Sequence, residues 1–247
     1  MRTTRRWILQ SLATSGIALA NSAGKKRVLA IVGDAYHSAA PLDAALVGRL
    51  RKDGYQGVTI IDYNVPWNDF STFDLIIMSR EAHEYVRFFR ERDSMPAGRA
   101  RELWITPAQE QKFEDYVKAG GRLLLYHDGF GFYPKGGAVS RLAKAYFIRH
   151  PAIVSINVSP TGKLPELTEG ITPFTVADEE YEVEMDESQT SVFLESHSTE
   201  HGRFAQGWAH TYGKGKVAVF VPGHSPATIN HPMVQRSIQN IISWLVK

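Results

Sequence analysis

The stretch Arg27–His37, RVLAIVGDAYH, decides the fold. Its first six residues form a short apolar run closed by Gly33-Asp34, the pattern of a strand buried on both faces. A histidine stands just past the end. The same arrangement occurs twice more: Arg122–Tyr126 (RLLLY) runs into His127, and Lys216–Val221 (KVAVFV) is followed, after Pro222-Gly223, by His224. Ligands of open, mostly parallel α/β sheets bind in the crevice beyond the carboxyl ends of the strands. Three imidazoles at three strand ends are therefore expected to converge on one cleft, although they lie far apart along the chain.

Outward from these runs the chain alternates. A helix is predicted over Leu42–Lys52, ending at Asp53-Gly54, with strands at Val58–Ile61 and Asp74–Met78. Strands alternating with helical patterns argue for βαβ units and a parallel sheet. Arg80–Leu103 is highly charged and breaks the rhythm; it reads as a solvated excursion, with a lid over the cleft as the functional alternative. Thr106, Pro107 and Gln109 make a capping box with proline at the first helical position, and the helix is expected to run to Ala119 and stop at Gly120-Gly121. From Ala152 the texture changes to short β-branched runs at Ile153–Val158, Thr190–Leu194, Gln206–His210 and Lys216–Val221, the last two joined by a turn at Tyr212–Gly215. Pro232–Val246 closes the chain as a helix with Val234, Ile238, Ile241, Ile242 and Leu245 on one face. The expected fold is a three-layer α/β/α domain with a mostly parallel sheet, over residues 26–247.

Composition narrows the chemistry. The net charge is +2, but Arg2, Arg5 and Arg6 lie at the N-terminus; without residues 1–20 the balance is 25 basic to 26 acidic residues. Nothing in it favours nucleic acid. The sequence has no cysteine, which excludes disulfides, thiolate metal ligands and a cysteine nucleophile. Arg5-Arg6 before the weakly apolar Ser11–Ala20, with Ala18-Leu19-Ala20 as a cleavage site, reads as a twin-arginine signal peptide over residues 1–20 and predicts export to the periplasm.

The candidate site follows from the strand ends. His37 lies in a strand-to-helix turn with neither a dinucleotide fingerprint nor a phosphate loop. His127-Asp128-Gly129 stands where hydrolases and amidotransferases of this architecture carry a nucleophile elbow, yet no G-x-S-x-G occurs. Proton transfer, carbonyl polarisation or metal binding stay open to an imidazole there. Asp178-Glu179-Glu180-Tyr181 joins acids to a tyrosine; its plain reading is an exposed acidic strand edge, its functional one an acid–base group. His150-Pro151 adds a further imidazole in extended geometry. His83, His197, His201, His210 and His231 read as surface or packing residues. Imidazole and carboxylate ligands for zinc are all present without a close-spaced signature, so no cofactor is assigned and zinc stays open.

Several segments together resemble the ThuA-like family, named for trehalose utilisation: RVLAIVGDAYH, GGRLLLYHDGF, RHP, FTVADEEY, GWAHTYGKGKVAVFVPGH and the terminal helix ending IISWLVK, spanning Lys26 to Lys247. The resemblance implies a class I glutamine-amidotransferase-like (flavodoxin-like) fold without the amidotransferase nucleophile, in accord with the missing cysteine. It implies a role in sugar catabolism, alongside sugar oxidoreductases that make 3-keto intermediates. The family's recurrent polar positions map onto His37, His127, His150, Asp178, Glu179, Tyr181 and His224.

The leading reading is an exported enzyme acting on a glycoside or keto-sugar. His127 and His224 polarise or deprotonate substrate, Asp178 or Glu179 serves as base or hydroxyl acceptor, and Tyr181 donates a proton. His37, Asp128, His150 and Trp208 bind substrate. The alternative is a non-catalytic carbohydrate-binding or partner-docking module with Trp208, Tyr212, Tyr133 and Phe130 as a stacking surface. Hydrolysis by paired carboxylates needs acids across a cleft; Asp178 and Glu179 are adjacent and face opposite sides of an extended strand, which would leave Asp128 as partner. Self-association stays open.

Overall fold

Side chains alternate along strand β1 (Arg27–Val32): Val28, Ala30 and Val32 join one hydrophobic layer, Leu29 and Ile31 the other, and all five are fully buried. A strand covered on both faces must lie inside a three-layer domain. The structure, a computed structural model, describes residues 24–84, 102–199 and 201–247. The signal-peptide reading and most of the Arg80–Leu103 excursion fall outside these residues.

After β1, helix α1 (Ala39–Leu42) continues through a π-helical segment (Asp43–Gly48) into α2 (Arg49–Lys52). The helical run thus begins three residues before the expected Leu42. Strands β2 (Gln56–Ile60) and β3 (Leu75–Ser79) flank β1 in parallel. Helix α3 (Pro107–Lys118) has the expected capping box, Thr106 with Gln109, and leads into β4 (Arg122–Tyr126), whose bounds are those read from sequence. A 3-10 turn (His127–Phe130) follows, then α4 (Ala138–Ala143), β5 (Ala145–Arg149) and β6 (Val154–Pro160). Helix α5 (Pro165–Thr168) precedes β7 (Phe174–Asp178), β8 (Glu182–Met185) and β9 (Ser191–Ser198). A hairpin joins β10 (Gly202–Tyr212) to β11 (Gly215–Phe220), and α6 (Pro226–Ile229) leads to the terminal α7 (Pro232–Val246), again with the expected bounds.

The main sheet has the order β2-β1-β3-β4-β11-β10-β9-β6-β7. Its first five strands are parallel and carry the three strand-end histidines; the last four pair antiparallel. Strands β5 and β8 form a separate two-stranded sheet. Helix α7 packs Ile238, Ile241 and Leu245 on one face of the main sheet, while Phe113 and Val117 of α3 and Leu142 of α4 cover the other.

Two expectations about charged segments are corrected. Asp178, Glu179 and Glu180 are buried, so this is not an exposed acidic edge. Arg80, expected to open a solvated excursion, is fully buried at the end of β3. Its guanidinium donates to the carbonyls of Gly33 (2.7 Å), Val32 (2.8 Å) and Asp62 (2.7 Å) and lies over the Trp104 ring. Those carbonyls supply the partners a buried charge needs, and they tie the ends of β1 and β3 together. Among the described residues, no helix is long and apolar enough to cross a membrane.

Candidate functional site

The carboxyl ends of β1, β4, β7 and β11 deliver the site. In the turn after β1, Asp34 Oδ1 accepts the backbone N–H groups of Tyr36 and His37, both at 2.9 Å, and so sets the turn that presents the His37 ring. After β4 the backbone of His127 is left-handed, with φ of 48°. A non-glycine residue held there stores strain, a device concentrated at functional sites. The bend is the elbow expected from the sequence, carrying an imidazole where related architectures carry a nucleophile. Gly129 is required two residues on, because a Cβ there would stand 1.9 Å from the Met78 carbonyl oxygen.

Three imidazoles meet. His37 Nε2 is 3.0 Å from His127 Nε2 and 3.1 Å from His224 Nδ1. Glu179 reaches the same point, with Oε1 3.1 Å from His224 Nδ1 and Oε2 3.5 Å from His127 Nε2. The outer nitrogens are held by acceptors. His127 Nδ1 donates to the Val221 carbonyl at 2.7 Å, and His37 Nδ1 lies 2.8 Å from Asp128 Oδ2 and 3.0 Å from Asp34 Oδ1. Tyr181 donates its hydroxyl to Asp128 Oδ1 and stands 3.2 Å from His127 Nε2.

Of the residues singled out from sequence, His37, His127, His224, Glu179, Tyr181 and Asp128 are brought together. His150 stands at the rim, its Nδ1 3.4 Å from Glu179 Oε1. Asp178 belongs to the frame: Oδ2 accepts the Gly223 N–H at 2.9 Å and Oδ1 the Glu179 N–H at 2.7 Å, so the carboxylate sets the loops that carry Glu179 and His224. Trp208 does not reach the cleft. It is 0% exposed, packs edge-on against Phe130 and donates Nε1–H to the Ala143 carbonyl at 2.7 Å, because its face of β10 is covered by α4. Phe130 and Tyr133 are equally buried, and Tyr212 is half-buried with its hydroxyl on Glu114, outside the cleft lining, so the four do not form the expected stacking surface. Aromatics do flank the cleft, but they are Tyr36, 54% exposed, and Phe132, 39% exposed.

The cleft has a volume of about 540 Å³ and is lined by Tyr36, His37, His83, Asp128, Phe132, His150, Glu179 and His224. Sequence reasoning missed His83, which packs against Phe132 and lies 3.3 Å from Glu81. The rule that found the other histidines would have found it, since it falls four residues past the end of β3.

Electrostatics divide these groups. Burial works against a charge on His37, but Asp128 and Asp34 outweigh it and push its pKa up to about 11. The bond to Glu179 outweighs burial at His224 and raises that group too. At Glu179 burial is overcome by His224, His127 and His150, which hold the carboxyl below its ordinary range. Burial, with the nearby Asp128 and Glu179 carboxylates, pushes Tyr181 well above a tyrosine's ordinary value. His37, His127, His224 and Glu179 place four donor atoms within 4.8 Å of one another, a set able to hold a metal ion.

The family model for trehalose utilisation, ThuA, matches residues 72–245. Among solved structures, the chain is similar to a ThuA-like protein from Parabacteroides merdae, at 14% identity and TM-score 0.69, covering 90% of each chain. A ThuA-like protein from Bacteroides uniformis aligns at 16% identity and TM-score 0.65, over 92% of this chain and 94% of that one. A cytoplasmic protein from Salmonella typhimurium LT2 aligns at 15% identity and TM-score 0.60, over 90% and 100%. At these identities the likeness carries the fold alone. No curated protein matches the chain.

Proposed function

The chain belongs to the ThuA family of trehalose utilisation, and from that premise we propose that it is an exported enzyme of carbohydrate catabolism acting on a glycoside or keto-sugar in the strand-end cleft. The observation that carries this reading is the meeting of three imidazoles and one carboxylate at the floor of a cleft walled by Tyr36 and Phe132. Groups whose environments push their pKa values apart identify acid and base. Glu179, held as carboxylate, accepts a sugar hydroxyl or takes a proton from the carbon beside a keto group. His224 and His37 line the cleft and face the oxygen on which negative charge develops. Tyr181 keeps its proton, donates it in a hydrogen bond to Asp128 Oδ1 and braces His127 from behind; delivery of that proton to substrate runs through this Asp128–His127 contact. The exposed faces of Tyr36 and Phe132 suit the apolar faces of a pyranose ring. Export rests on the twin-arginine segment.

The purified protein is to be incubated with disaccharides and their 3-keto derivatives, and products followed by chromatography. Conversion is expected, falling about 10²- to 10⁴-fold in His224→Ala and in Glu179→Gln, the usual scale of acid–base assistance. Turnover that survives both substitutions rejects the assignment. Tight binding with no conversion makes the cleft a carbohydrate-binding module instead.

A further inference from the structure

We propose that His37 Nε2, His127 Nε2, His224 Nδ1 and a Glu179 carboxylate oxygen form a four-ligand centre for a borderline divalent metal ion of the zinc class. The proposal rests on reading this cleft as the reactive site and adds the electrophile at its centre.

The distances come first. The four donors arrive on four separate loops, after β1, β4, β7 and β11: His37 Nε2 stands 3.0 Å from His127 Nε2 and 3.1 Å from His224 Nδ1, and the Glu179 carboxylate reaches His224 Nδ1 with Oε1 at 3.1 Å and His127 Nε2 with Oε2 at 3.5 Å. A tetrahedron with metal–nitrogen bonds of about 2.0–2.1 Å has edges of about 3.3–3.4 Å. The near contacts already match that spacing, and one donor atom from each of the four residues lies within 4.8 Å of the others.

Tautomers make the argument stronger. A carbonyl only accepts, so the 2.7 Å contact with Val221 places the His127 proton on Nδ1 and leaves the Nε2 lone pair facing inward. Two carboxylates grip His37 Nδ1 in the same way. Two inward Nε2 atoms therefore confront each other at 3.0 Å, with His224 Nδ1 at 3.1 Å from the same His37 atom. One N–H on His37 cannot point at both neighbours, so with His224 Nδ1 turned to Glu179 Oε1 the 3.1 Å approach of the His37 and His224 nitrogens has no hydrogen bond of its own, whereas a cation between the nitrogens engages all four groups at once.

The outer contacts are those that metal-bound histidines keep: a carboxylate or backbone carbonyl on the remaining ring nitrogen, fixing tautomer and orientation. Here they are Asp34 and Asp128 for His37, and the Val221 carbonyl for His127. The same geometry explains why Asp34, His37 and Asp128 are not themselves a second centre, since both carboxylates are engaged with one protonated nitrogen. Three imidazoles and a carboxylate, with no thiolate, suit zinc and its borderline neighbours better than calcium or magnesium, which take oxygen ligands. The strained backbone of His127 is what aims its ring at this point. On the cleft side, His224 keeps 27% of its side chain exposed, which leaves an approach for a substrate oxygen.

The test uses the full chain, stripped with a chelator, exchanged into metal-free buffer and titrated with zinc sulfate against a chromophoric competitor. One zinc per chain is expected. His224→Ala and Glu179→Gln, both at the mouth of the site, are expected to weaken binding at least about 100-fold, beyond what loss of an outer-shell partner does. His197→Ala, an exposed histidine elsewhere, leaves the affinity unchanged. Cobalt(II) in place of zinc is expected to give the intense visible bands of a four- or five-coordinate site. No stoichiometric uptake by folded, stripped protein, or an affinity that neither substitution lowers, overturns the centre. Sugar conversion undiminished in stripped protein overturns it too while leaving the reading of function intact. Stoichiometric zinc without conversion of any sugar supports the centre and removes that reading.

Discussion

His127 has the backbone of a glycine and the side chain of a ligand. Its φ of 48° costs about 1–2 kcal/mol relative to an ordinary conformation, and glycine alone is free of that cost. An inverted ranking of substitutions follows. His127→Gly and His127→Ala both lose the bond to Val221, but only the glycine variant sheds the strain. The glycine variant is expected to melt about 2–4 °C above the alanine variant, the shift that roughly 1 kcal/mol gives in a chain of this size. Both are expected to lose sugar conversion. Differential scanning calorimetry of the two checks this, and an alanine variant at least as stable as the glycine one would show that the elbow is not strained. The residues of the site were legible to the extent that position relative to a strand end decides them: His37, His127 and His224 each follow an apolar run. Period-2 alternation also separates Asp178 from Glu179. Which of the two faces the cleft was not legible, because it depends on the loop after β7 docking its carboxylate on Gly223 and His224, a contact between residues 45 positions apart.

At the scale of elements, those with punctuation at both ends were readable and the unpunctuated ones were not. Helix α3 has its capping box and its Gly120-Gly121 stop, and α7 a proline start and a clear apolar face, so their bounds follow from local chemistry. Strands β5 and β8 are four or five residues long and, among the described residues, pair only with each other; EVEM reads as an acidic run until Ala145–Arg149 lies beside it. Trp208 shows the same limit. Alternation along β10 fixes which side of the sheet it shares with its neighbours, but not that α4 covers that side. Its role is therefore packing. Trp208→Ala is expected to cost about 3–5 kcal/mol, the range for deleting a large buried aromatic. It is expected to leave the conversion rate per folded molecule unchanged. Urea unfolding and a rate normalised to folded protein separate the two, and a normal stability with lost conversion would return Trp208 to the cleft.

At the scale of the whole molecule, the sheet joins a parallel half that carries chemistry to an antiparallel half that carries none of the three strand-end histidines, and β10 begins the second half beside β11. His210 sits at this join. Its Nε2–H donates to the Leu142 carbonyl of α4 at 3.0 Å, and its Nδ1 accepts from Thr190 Oγ1 at 2.9 Å, so both nitrogens are committed as a neutral ring. Burial, with Lys144 nearby, pushes its pKa down to about 4, against 6.5 for an unperturbed histidine. The sign follows from proton counting. Between pH 6.5 and 4 the unfolded chain binds a proton at His210 that the folded chain refuses, so the stability this residue contributes is complete above pH 6.5 and is lost as pH falls through that window. The loss is on the order of 1–3 kcal/mol at its acid end. In His210→Gln, which retains a donor for Leu142 without a titrating ring, the decline of stability from pH 6.5 to 4 is expected to be shallower than in the parent. Unfolding free energies measured by urea at half-unit steps across the window check this, and parallel curves for the two proteins would mean that His210 takes up its proton without opening the join. Because this packing histidine lies away from the cleft, the part of the acid decline that His210→Gln removes belongs to β10 and α4, while the part that remains includes carboxylates such as Glu179, whose pKa is held down in the folded chain.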